Sequence, residues 1–207
     1  MNTCYIFGSL NVDNFTNQID ETDFVIAADK GILNTQRFNL LPDLIVGDFD
    51  SLEYVPEGKN VIQHPVMKDD TDLVLAVKIG FEQGYKNFII YGCLGGDRLD
   101  HTFASIQTAA FIKEKGGNAV FYDGDTCISL HQNETITFPP TKQGIISVFS
   151  YTETAVVSEK NLLYELDKCE ITQKHPIGVS NEFIGKQAEI TVHSGSALII
   201  CKETNEV

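Results

Sequence analysis

The residues in this chain best suited to chemistry are its aspartates, and they fall in groups. Asp29 stands alone after an apolar run, and Asp48 and Asp50 sit inside Gly47-Asp48-Phe49-Asp50-Ser51. Asp69, Asp70 and Asp72 flank Thr71, and Asp97 and Asp100 bracket Arg98. Carboxylates gathered in one place repel each other unless a cation sits among them, and hard oxygen ligands suit Mg²⁺. Asp48 and Asp50 are two apart, so extended backbone points both to one side, where they can share a metal. Each acid also has a plainer use. Asp70, Asp72 or Asp100 can cap a helix, and Asp48 and Asp50 can shape a turn.

Equipment for binding phosphate lies among these acids. Lys30, Lys68 and Arg98 are cations, Gly31, Gly47, Gly95 and Gly96 permit close backbone approach, and Ser51 and Thr71 offer hydroxyls. Helix starts near Asp72 and Thr102 favour anions. Neither Gly-x-x-x-x-Gly-Lys-Ser/Thr nor Gly-x-Gly-x-x-Gly after the first strand occurs, so P-loop kinases, protein kinases and dinucleotide dehydrogenases fit poorly.

The acids acquire meaning from the elements that carry them. β-branched runs predict strands at 3–8, 24–28, 44–46, 60–63, 87–91 and 119–122, with helices over 31–38, 72–83 and 102–115. Alternation of this kind makes a parallel sheet, whose strands all end at one edge, and ligands bind at that edge. Four separate loops then bring carboxylates to one rim. Beyond Asp123-Gly124-Asp125 the helices stop. Strands are expected at 126–138, 143–151, 155–159, 162–166, 170–173, 187–193 and 196–202, the pattern of a sandwich or barrel. The reading is an α/β half, residues 1–124, joined to an all-β half, residues 125–207.

Composition narrows the partners. Over 207 residues the formal charge is −14, which argues against a nucleic-acid or anionic-membrane surface. The start, Met1-Asn2-Thr3-Cys4-Tyr5, lacks a basic region before an apolar run, and no stretch approaches the ~20 apolar residues of a membrane span. Five scattered cysteines without a Cys-x-x-Cys pair read as free thiols. A cytoplasmic protein is expected.

Four segments in order resemble thiamine pyrophosphokinase: Ala28-Asp29-Lys30-Gly31, 41–51 from Leu41-Pro42-Asp43 through Gly47-Asp48-Phe49-Asp50-Ser51, Lys68-Asp69-Asp70-Thr71-Asp72, and Gly95-Gly96-Asp97-Arg98-Leu99-Asp100-His101. In the second half, Asn161 to Leu166 and Ser180-Asn181-Glu182 resemble two further family segments. Two departures stand out: Asp97 intervenes between glycine and arginine, and Lys30 replaces a small residue.

The resemblance implies a mostly parallel α/β nucleotide-binding domain followed by an antiparallel β-sandwich that binds thiamine. It implies Mg²⁺-dependent transfer of pyrophosphate from ATP to the thiamine hydroxyl, with AMP released. It also implies a homodimer with the active site at the subunit interface. Asp48, Asp50, Asp72 and Asp100 match the acidic positions that hold Mg²⁺ and arrange the reaction, Asp72 or Asp100 taking the hydroxyl proton. Asp29, Gly31, Ser51, Lys68, Thr71, Gly95, Gly96, Arg98 and His101 fall at ATP-binding positions, and Tyr164, Ser180 and Asn181 at thiamine-binding ones. Two rivals use the same residues: an Mg²⁺-dependent nucleotide phosphohydrolase, and a nucleotide- or vitamin-binding protein without chemistry.

Overall fold

The structure, a computed structural model, describes residues 2–50, 52, 54–56, 58, 60–64 and 70–204. The chain divides into two compact units, residues 1–124 and 125–207.

The first unit runs β1 (Thr3–Phe7), β2 (Phe24–Ala28), α1 (Gly31–Arg37), β3 (Leu44–Gly47), β4 (Val61–Gln63), α2 (Asp72–Glu82), β5 (Asn87–Tyr91), α3 (Leu99–Glu114) and β6 (Asn118–Asp123). Its strands lie in the order β6-β5-β1-β2-β3-β4, every pairing parallel. Nearly continuous burial along β1 and β2 fits strands covered on both faces. The chain extends from β1 in one direction to β4, then returns to build β5 and β6 on the other side. The reversal between β1 and β5 is where such sheets open a crevice.

No helix joins β1 to β2. Residues 8–23 cover the sheet instead, and Phe15 packs against Tyr5, Phe7, Phe38 and Tyr91 with ring centroids 5.4–6.2 Å apart. Buried Asn34 of α1 ties this segment down. Its Nδ2 donates to the carbonyls of Gly8 (2.9 Å) and Leu10 (2.8 Å), and its Oδ1 accepts from the Val12 N–H at 3.0 Å. A segment outside any ladder must find partners for its backbone, and one amide supplies three.

The second unit is all strand: β7 (Thr126–His131), β8 (Glu134–Phe138), β9 (Ile145–Ser150), β10 (Thr154–Lys160), β11 (Leu166–Thr172), β12 (Asn181–Glu182), β13 (Ala188–Ser194) and β14 (Ala197–Lys202). Antiparallel ladders join β12-β9-β14-β7 and, separately, β11-β10-β13-β8. Ile146, Val148 and Ile199 from the first set share one apolar core with Val157, Ile171, Ile190 and Val192 from the second.

Three expectations about the elements need correction. The run 126–138 is two strands, because Asn133 takes the left-handed conformation (φ 50°) and turns the chain. Of the stretch 162–166 only Leu166 belongs to a strand, the start of β11, and residues 162–165 form none apart from a single bridge between Leu162 and Phe183. There the Asn161 N–H binds Glu165 Oε1 and the Tyr164 N–H binds Asn181 Oδ1, so side chains replace a ladder. Helix α3 begins at Leu99 rather than at 102, since the Thr102 hydroxyl bonds the Gly95 backbone and does not cap the helix. Among the described residues no helix is long and apolar enough to cross a membrane.

Replacing Asn34 with alanine strands three backbone groups at once. We expect a loss of about 2–4 kcal/mol of stability, read from the urea midpoint at unchanged m-value. A loss below about 0.5 kcal/mol would show that residues 8–12 find other partners.

Candidate active site

Asp29 follows β2 directly, and Asp48 and Asp50 follow its parallel neighbour β3, with Ala28 and Val46 in register. Parallel pairing places the two strand ends side by side, about 4.8 Å apart. One carboxylate oxygen from each of Asp29, Asp48 and Asp50 lies within 4.8 Å of the others. Oxygens around an octahedral Mg²⁺ at ~2.1 Å are roughly 2.9–4.2 Å apart, so small side-chain shifts would close this group on one ion.

The backbone here is unusual. Asp29 and Phe49 both have positive φ, 50° and 61°. An aspartate takes that conformation readily, whereas a phenylalanine does so at a cost of order 1–3 kcal/mol. The Phe49 side chain is buried (3% exposed), which holds the turn in place. Asp48 and Asp50 therefore share a side through a turn and not through extended chain, and Asp48 Oδ1 also accepts the Asp50 N–H at 3.1 Å. The turn-forming role of Asp48 is compatible with a ligand role.

Close approach completes the arrangement. A Cβ on Gly47 would stand 3.1 Å from the Asp29 Cα, so this glycine lets the two strand ends meet. The Asp29 N–H bonds the Val46 carbonyl at 2.8 Å, and its Oδ2 accepts from Ser9 Oγ at 3.2 Å. Asp29 is 8% exposed, a buried acid aimed at the rim.

The structure does not draw Asp72 and Asp100 into that trio. Asp72 lies in the first turn of α2, where Thr71 is the cap: its Oγ1 accepts the Val74 N–H at 3.2 Å. Asp100 follows β5, and β1 separates β5 from β2, so its loop begins about 10 Å along the rim from that of Asp29. Both Asp100 oxygens engage the Arg98 guanidinium, at 3.1 and 2.5 Å. That fork holds the Asp100 carboxyl down at about 2, the hydrogen bond from Arg98 being the main cause. Asp70 pairs with Lys78 at 2.5 Å.

Among the residues assigned to ATP, Gly31 has a packing role, because a Cβ there would meet the Phe7 carbonyl oxygen at 1.8 Å. Gly95 and Gly96 both have positive φ (77° and 71°) in a loop pinned by Thr102, and His101 is exposed on the first turn of α3. Ser51 and Lys68 lie outside the described residues.

In the second unit Tyr164 is 67% exposed, and Ser180 has φ 60° with its N–H on Ser147 Oγ at 3.0 Å. Asn181 is buried, and its amide bonds Glu159, Tyr164 and Glu182. Sequence reasoning passed over Glu159, which is 2% exposed on β10 and whose pKa burial pushes up. An acid inside a run otherwise read as a strand, 155–159, was the available signal.

A family model described as the catalytic domain of thiamin pyrophosphokinase matches residues 15–121, and one for its vitamin B1 binding domain matches residues 132–199. The chain belongs to the thiamine pyrophosphokinase family. The thiamine pyrophosphokinase of Bacillus subtilis is 27% identical over 211 residues, covering 91% of this chain and 92% of that protein. Thiamin pyrophosphokinase 1 of Caenorhabditis elegans is 27% identical over 190 residues, covering 83% and 74%. The crystal structure of the Bacillus subtilis thiamine pyrophosphokinase superposes with a TM-score of 0.86 at 23% identity over 99% of this chain and 100% of that one. Thiamin pyrophosphokinase from Candida albicans gives 0.76 at 15% identity, over 98% and 89%. Membership in the thiamine pyrophosphokinase family makes the chain an enzyme, an ATP-dependent thiamine diphosphokinase.

The Arg98–Asp100 fork predicts a measurable titration. In the metal-free protein, Arg98→Ala removes the cation that favours ionised Asp100, so its midpoint should rise from about 2 toward the ordinary 3.8. Carboxyl-carbon NMR between pH 1.5 and 6 reads it, and an unmoved midpoint would mean that the fork does not form in solution.

Proposed function

We propose that the protein moves the terminal pyrophosphate of ATP onto the hydroxyl of thiamine by in-line attack at the β-phosphorus. The new bond joins the thiamine oxygen to that phosphorus, and the bond from it to the bridging oxygen breaks, so AMP leaves carrying that oxygen. The observation carrying this reading is the convergence of Asp29, Asp48 and Asp50 at the rim of a parallel sheet, inside the stretch that matches the family's catalytic part.

In this reading Asp48 and Asp50 hold Mg²⁺, and the geometry adds Asp29 to them. The ion would offset charge along the triphosphate and ease the departure of AMP. Asp72 and Asp100 complete the acidic set that the resemblance implies. Asp72 or Asp100 takes the hydroxyl proton, Asp100 with both oxygens on Arg98. Thr71 sets the start of α2 that carries Asp72, Gly95, Gly96, Arg98 and His101 are assigned to the nucleotide, and Ser51 and Lys68 keep the ATP role that the resemblance implies. The first unit is then the nucleotide domain and the second a thiamine-binding β-sandwich. There the exposed Tyr164 ring suits a cationic thiazolium, and Ser180 is displayed on a fixed backbone.

A cytoplasmic homodimer is part of the proposal. Leu163, Tyr164, Ile177, Val179 and Ile184 are all large apolar residues at least 42% exposed, and a second copy of the chain would cover them.

Phosphorus NMR of the protein with ATP and Mg²⁺ tests the reaction. Signals of AMP and thiamine diphosphate should grow only when thiamine is added. ADP with thiamine monophosphate would place the attack at the γ-phosphorus, and phosphate release without thiamine would make the protein a hydrolase. Asp48→Asn should lower kcat/KM by on the order of 100-fold at saturating Mg²⁺. Near-normal turnover of that variant would remove Asp48 from the metal site.

A further inference from the structure

We infer that Glu159 is a positioning residue for thiamine, acting through the Asn181 amide to set the backbone at Tyr164 and beside Ser180. The inference rests on the proposed thiamine role of those two segments. An asparagine side chain has two N–H donors and an oxygen with two lone pairs. At Asn181 all four are used inside the unit. Nδ2 donates to Glu159 Oε2 and to the Tyr164 carbonyl, each at 2.7 Å, and Oδ1 accepts from the N–H groups of Tyr164 and Glu182, each at 2.9 Å. With 7% of the residue exposed, this amide has no capacity left to read a substrate edge. Its position in the Ser180-Asn181 segment reflects a structural hub.

The hub solves a local problem. Residues 162–165 belong to no ladder, so the backbone of Tyr164 needs partners, and Asn181 provides both for its N–H and its carbonyl. The Leu163 N–H adds a bond to the Glu182 carbonyl at 3.0 Å. Tyr164 is thus fixed in backbone while its ring stays exposed, and Ser180 is held by Ser147 on the other side of Asn181.

Glu159 is one of the partners that together fix which way the amide faces. Two backbone N–H groups on one side require an acceptor. A carboxylate on the other side, which only accepts when ionised, requires a donor, so one orientation of Asn181 satisfies all of them. Glu159 belongs to β10 and Asn181 to β12, which lie in different ladders, so a single buried contact passes from one ladder to the edge of the other. That explains a charged side chain at a strand position that is 2% exposed.

Two substitutions separate reach from charge. Glu159→Gln keeps the reach and an acceptor oxygen but loses the charge. Glu159→Asp keeps the charge and withdraws the acceptor by one carbon–carbon bond, about 1.5 Å, beyond hydrogen-bond distance. The readouts are KM for thiamine, KM for ATP, and amide hydrogen exchange at Tyr164 and Glu182 by NMR on the full chain. Glu159→Asp should raise the thiamine KM about tenfold, leave the ATP KM unchanged and speed exchange at both amides, while Glu159→Gln stays within about threefold of the parent. A Gln variant as impaired as the Asp variant, or an Asp variant with parental thiamine KM, would overturn the positioning role. Faster exchange in the Asp variant of a protein that shows no thiamine-dependent turnover would leave the hub standing and remove the proposed reaction instead.

Discussion

Three carboxylates within 4.8 Å of one another are held against their mutual repulsion, and the first unit is arranged to hold them. Side-by-side parallel strands bring the two loops together, and the absence of a Cβ at Gly47 eases their close approach. Buried Phe49 fixes a turn that its own backbone preference opposes. The left-handed backbone at Phe49 and the crowding of like-charged groups cost free energy, and a bound divalent ion would offset the second. Strain and like charge collected at one spot are a physical sign of a site and not of a scaffold.

The loop over β1 shows how such a rim stays rigid without a covering helix. Phe15 and its aromatic neighbours supply the apolar cover, and Asn34 satisfies the backbone of residues 8–12. This segment borders the reversal between β1 and β5, where sheets of this kind open a crevice. The second unit uses the same solution at a different place. There too a chain segment outside any ladder is fixed by one buried asparagine, with Glu159 behind it. In both units a buried amide takes over the work of a strand, with three bonds at Asn34 and four at Asn181.

Much of this was legible along the chain, because local rules wrote it. The three helices fall within a few residues of their spacing, and the strands of the first half come from β-branched runs bounded by turn residues. The loop aspartates follow strand ends, which is a statement about sequence order alone. Less legible were the places where side chains replace backbone partners. The stretch 162–165 has the composition of a strand, but side chains, the distant Asn181 among them, take the backbone partners of a ladder. Thr102 looked like a helix start, but its hydroxyl is committed to Gly95.

The sequence by itself determined the element types, the change of grammar near residue 124 and the set of acids that end at one rim, since each depends on neighbours a few positions apart. It also carried the motifs by which the family is recognised. Tertiary structure alone decided which acids meet. Asp29 joins Asp48 and Asp50 because β2 pairs with β3, whereas β1 holds the loop of Asp100 apart, and strand order is not written in any local pattern. It decided as well that Asn181 faces inward to Glu159, a contact across 22 residues that depends on how two ladders pack around one core.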